Sequence, residues 1–60
     1  MRRTDLERKL TEMGWRSTGE VSGMRHAVWR HQKKRHPIYV PIEDLILDST
    51  AERLIDEAEG

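Results

Sequence analysis

Apolar residues over the first thirteen positions recur with a helical period. Leu6, Leu10 and Met13 stand at i, i+4 and i+7, one stripe of an α-helix. Thr4 and Glu7, in "TDLE", have the spacing of a capping box. Gly14 suits the left-handed residue that closes a helix, so the pattern predicts a first helix from about Thr4 to Met13. The same signature returns at the other end of the chain. In "STAERLIDEAEG", 49–60, Ser49 and Glu52 form a second capping-box pair, and Ala51, Leu54, Ile55 and Ala58 make an apolar stripe.

Between the helices the pattern shifts to period two. "WRSTGEV", 15–21, is poor in helix formers and reads as a strand through Trp15, Thr18 and Val21. "SG", 22–23, reads as a turn. In "RHAVWRH", 25–31, His26, Val28 and Arg30 share one face, and Ala27, Trp29 and His31 share the other. Trp29 is the largest apolar group there, so its face is expected to meet the core and His26 to lie on the open side. "QKKR", 32–35, is a charged connection without Asn-Gly or Pro-Asp chemistry. "HPIYVPI", 36–42, is a third strand bracketed by Pro37 and Pro41, which confine it to a sheet edge. "EDLILD", 43–48, is too short to assign by period. The expected fold is α+β: a three-stranded antiparallel meander in the order α-β-β-β-α, with two helices on one face and the other face open.

Sixty residues make a single domain whose core is small, with 35% apolar and 37% charged residues. Without cysteine, no disulfide or thiolate metal site supports it. A bound partner stabilises such a chain. No apolar run approaches the roughly 18 residues of a membrane span, and "MRRTDLERK" lacks a secretory signal, so the chain reads as cytoplasmic. Net charge is zero, but its distribution is lopsided. Residues 1–36 hold ten Lys and Arg against four acids, while residues 37–60 hold one against seven. The basic part suits phosphates, and the acidic part suits folding back or a protein partner. Two solvated faces without a partner are the plain alternative.

Histidines 26, 31 and 36 repeat every five residues. Within one strand, however, His26 and His31 face opposite ways and no carboxylate or thiolate is close in sequence. No metal site and no cofactor are expected. His31, beside Trp29, reads as a structural residue in preference to a catalytic one. Trp15 and Trp29 read as core, and Tyr39 as an aromatic that either packs at the edge or stacks on a base. Arg30 lies four residues from His26, roughly 13 Å at strand rise, too far for the same phosphate but suited to one a nucleotide or two away. Arg25 points to the other face unless a bulge turns it. Lys33, Lys34 and Arg35 read as backbone-tracking phosphate contacts or as an ordinary charged loop.

The helix ending in "GW" (14–15), the "H-x-x-W-x-H" of 26–31, "IYVP" (38–41) and "STAERLIDEA" (49–58) together resemble the HicA (YcfA-like) toxins over nearly the whole chain. Their most specific motif is Gly-Ser-His followed five residues later by a second His with an aromatic between. His26, Trp29 and His31 reproduce that spacing, although "GMR" precedes His26 here. "QKKR" stands where the family has Pro-Asp-Gly, and its usual net basic charge is missing. The resemblance implies a double-stranded-RNA-binding-domain-like fold and an endoribonuclease that cleaves mRNA. It implies His26 as general acid/base, suited to proton transfer near neutral pH. It also implies a HicB-like antitoxin over the His26 face. RNA contacts are then expected from Arg25, Arg30, Lys33, Lys34 and Arg35. A non-catalytic RNA- or protein-binding module of the same fold is the alternative.

Overall fold

Five elements follow in the expected order. The computed structural model describes residues 1–60 as α1 (Arg3–Glu12), β1 (Arg16–Ser22), β2 (His26–Arg30), β3 (Ile38–Pro41) and α2 (Asp48–Glu59). The strands form one antiparallel sheet in the order β1-β2-β3. Both helices pack on the Trp29 face. Leu6 and Leu10 of α1, Ala51, Leu54 and Ala58 of α2, and Trp29, Ile38 and Val40 of the sheet bury together with Trp15 and Ile46. The alternation in β3 matches: Ile38 and Val40 are buried, while Tyr39 lies on the open face and is 49% exposed. No helix is long and apolar enough to cross a membrane.

The end of α1 sets the geometry of much that follows. Gly14 takes φ +95. Its N–H donates to the Thr11 carbonyl at 3.0 Å, and the Trp15 N–H donates to the Leu10 carbonyl at 2.9 Å. These are the two bonds of a Schellman closure. It delivers Trp15 straight into the core, where the indole Nε1–H donates to the Ala58 carbonyl at 3.3 Å. One side chain thus ties the C-terminal ends of both helices together.

Neither capping box forms. α1 begins at Arg3 after an extended Arg2, and α2 begins at Asp48 after Leu47; neither start has a side-chain cap. Main-chain pairing between the two segments moves both starts forward. Arg2 bridges Leu45, the Arg3 N–H donates to the Asp44 carbonyl at 2.9 Å, and the Ile46 N–H donates to the Met1 carbonyl at 2.8 Å. Much of "EDLILD" is therefore this pairing and the α2 N-cap. Glu7 turns to Arg3 (3.9 Å) instead of back to the helix start. Asp48 meets the Met1 ammonium at 2.9 Å. That hydrogen bond first, and the ammonium charge second, hold the Asp48 carboxyl below the usual carboxylate range.

β1 is less regular than β2. Five residues, Ser17 to Val21, oppose three, Ala27 to Trp29. The bulge contains Gly19 at φ +83, and the Thr18 hydroxyl donates to the Val28 carbonyl at 3.0 Å. No residue of this strand is buried. Val21 stays 62% exposed, although its partner Ala27 packs against the core.

Candidate functional site

The open face of the sheet carries two chemically different ends, joined by β2. Residues directly opposite in a ladder share a face, so His26, Val28 and Arg30 lie there with Ser22, Pro41, Tyr39 and Arg16. Val28, opposite Tyr39, is the buried residue of this face at 6% exposure. It separates the His26 end from the Arg30 end by the length of the strand.

At the first end, the Ser22–His26 pair closes a three-residue hairpin loop of Gly23, Met24 and Arg25. The Arg25 N–H donates to the Ser22 carbonyl at 3.1 Å, and the Arg25 carbonyl accepts from the Ile42 N–H at 3.0 Å. Loops of this length place their last residue in the left-handed region, where glycine is usual. Here glycine stands first, and Arg25 takes φ 59. This αL residue is the turn that β2 needed for Arg25 to escape its strand parity. Arg25 is in the loop, not in the strand, and lines one shallow cleft with His26. Met24, Pro41 and Glu43 border the same cleft, as do Leu47 and Thr50 at the start of α2. The uncapped helix start supplies the positive end of a helix dipole there. His26 is half-buried and its ring makes no hydrogen bond within the protein, leaving both ring nitrogens for a ligand. Arg25 has no acidic partner either.

At the second end, Arg16 faces Arg30 directly across the ladder. The two arginines border a cleft with Lys33 and Lys34 on the following loop. Arg16 was not among the residues picked out from the sequence. Its signal was present but needed the register, because a two-residue bulge lies between it and any simple count from the turn. Arg35 lies in a second hollow with His36 and Tyr39, which Lys33 and Lys34 also line. The candidate cations thus fall into two groups: Arg25 beside His26, and Arg30 with Arg16, which Lys33 and Lys34 link to Arg35.

His31 builds this second end. Its Nδ1 accepts from the Lys33 N–H at 3.0 Å, which supplies the turn chemistry "QKKR" lacks. That acceptor role leaves Nε2 to carry the proton and donate to the Met13 carbonyl at 3.1 Å. The ring meets Trp15 edge-on at 5.4 Å, so the aromatic partner is Trp15, not the Trp29 expected from strand spacing. Gly14 leaves the space for it: a Cβ there would sit 2.7 Å from His31 Nε2. Lys34 is tethered as well, its ammonium donating to the Glu59 carbonyl at 3.4 Å. No three His, Asp or Glu side chains converge in metal-ligating geometry.

No protein-family model, no curated protein and no solved structure matches this chain.

Proposed function

We propose that the protein is a HicA-like endoribonuclease that cuts mRNA by metal-independent transesterification at His26. The observation that carries this reading is the pairing of an unengaged His26 with Arg25 in one cleft at the start of α2. Transesterification needs a group that removes the 2′-hydroxyl proton and returns a proton to the departing 5′-oxygen. It also needs positive charge for the phosphorane. An imidazole with both nitrogens free serves the proton transfers, and Arg25 with the helix dipole serves the charge. The products are a 2′,3′-cyclic phosphate and a 5′-hydroxyl.

The surroundings of the cleft also suit a protein inhibitor. Met24, Leu45 and Leu47 border it and are 81%, 70% and 75% exposed. A HicB-like antitoxin seated there buries apolar surface and occludes His26 together, and it stabilises a small fold by mass action. Toxin and antitoxin act in the cytoplasm, where the mRNA is.

A gel assay tests the reading. Purified protein is incubated with a long unstructured RNA in excess EDTA beside a folded His26→Ala variant. Cutting by wild type alone, with cyclic-phosphate ends, is expected. RNA bound by both and cut by neither would assign a binding module of this fold instead. Cutting by both would remove His26 from the chemistry.

A further inference from the structure

We propose that Arg16 and Arg30 form a clamp for one phosphate of a single-stranded RNA, offset from the His26 cleft by the length of β2. The inference takes RNA as ligand from the reading above and adds a second, separate point of grip. Three observations carry it. First, like charges directly opposite in a ladder are destabilising, yet Arg16 and Arg30 face one another. Second, the helix arginines Arg3, Arg8 and Arg53 lie 3.9, 3.8 and 3.2 Å from Glu7, Asp5 and Glu57. Arg16 and Arg30, like Arg2, Arg25 and Arg35, are exposed and have no such carboxylate, but they alone among these face one another in the ladder. Third, the cations beside them are held in place by hydrogen bonds to the rest of the fold. His31 fixes the Lys33 backbone, and the Glu59 carbonyl holds the Lys34 ammonium.

Guanidinium forks bind phosphate oxygens in pairs, so two facing arginines suit one phosphodiester whose charge relieves their repulsion. The roughly 13 Å of strand between Arg30 and His26 then makes the clamp hold a phosphate a nucleotide or two from the scissile one. Val28 and Tyr39 lie between, and Tyr39 offers an exposed ring under the intervening base.

Binding of uncleavable 2′-O-methyl RNA separates the clamp from catalysis. A hexanucleotide and a dinucleotide are titrated against wild type, Arg16→Gln and Arg30→Gln at several salt concentrations. The hexanucleotide is expected to bind tighter than the dinucleotide. Each substitution should weaken the hexanucleotide by roughly five- to tenfold and lower the salt slope by about 0.7 per lost contact. The dinucleotide should be little affected, and each variant should melt at or above the wild-type temperature because a repulsion is gone. Equal affinities for the two lengths, or unchanged hexanucleotide affinity and slope in both variants, would overturn the clamp. Equal arginine-dependent binding of a glutamate-rich peptide of matched charge would overturn it in favour of an acidic protein. RNA that is gripped through Arg16 and Arg30 but never cut leaves the clamp standing and defeats the nuclease reading. Cutting without any arginine effect does the reverse.

Discussion

His26 and His31 sit at the two ends of one six-residue stretch, and their surroundings differ in every respect that matters chemically. His31 spends both ring nitrogens on the main chain, rests against Trp15 and occupies space that only Gly14 leaves open. His26 spends neither nitrogen and opens onto a cleft beside an arginine in a left-handed conformation. Sequence spacing alone treats them as a pair. The structure makes one a fastener and leaves the ring of the other unengaged. Satisfied hydrogen bonds are the mark of a structural histidine, and the His26 ring has none within the protein.

The largest effect expected from breaking this contrast is on cleavage. His26→Ala should reduce RNA cutting about 10²–10⁴-fold with little change in melting temperature. His31→Ala should show the opposite profile. It loses two main-chain bonds and should destabilise the fold by about 1–3 kcal/mol in urea unfolding, with cleavage falling only through the loosened Lys33 loop.

Gly14→Ala attacks the same fastener from the other side. The left-handed backbone and the 2.7 Å approach to His31 together should cost at least about 2 kcal/mol. Combining it with His31→Ala should cost less than the two separate losses, because the clash is gone. Strict additivity in the double-mutant cycle would mean the two residues do not share this contact.

At the His26 end, Arg25→Gly relieves an αL arginine and should gain about 0.5–1 kcal/mol, or roughly 2–8 °C in melting temperature, while lowering cleavage. A fall in both would mean that Arg25 holds the loop through its side chain. The smallest effect lies away from both ends. Asp48 is held below its usual range by the Met1 ammonium, so its stabilisation is present above the unfolded-state value and is lost as pH falls through the folded one. Asp48→Asn should lower stability slightly at neutral pH, where the ion pair is present, and converge with wild type in acid, so the acid limb of a stability–pH curve flattens.

Much of the architecture was legible along the chain because helix and strand periods are local properties. Leu6 and Leu10, then Ala51, Leu54 and Ala58, fall on buried faces as their spacing predicts. The alternation of β2 and β3 places Trp29, Ile38 and Val40 inward and Tyr39 outward. The helix starts were misread because a cap competes with whatever else the chain offers. Arg2 and Leu45, forty-three residues apart, form a bridge that resets both starts.

By itself, the sequence determined the order of elements, the faces of the helices and of the inner strands, and the identity of His26 as the histidine left on the open side. Each follows from a repeat a few residues long. Only the tertiary structure decided that Arg16 stands opposite Arg30, that Arg25 shares a cleft with His26, and that His31 packs on Trp15. A bulge shifts the register of β1, a left-handed residue re-aims the chain at Arg25, and the Schellman turn at Gly14 brings Trp15 back across the sheet end. Contacts between distant residues depend on such changes of direction, and no local periodicity encodes where a folded chain turns back on itself.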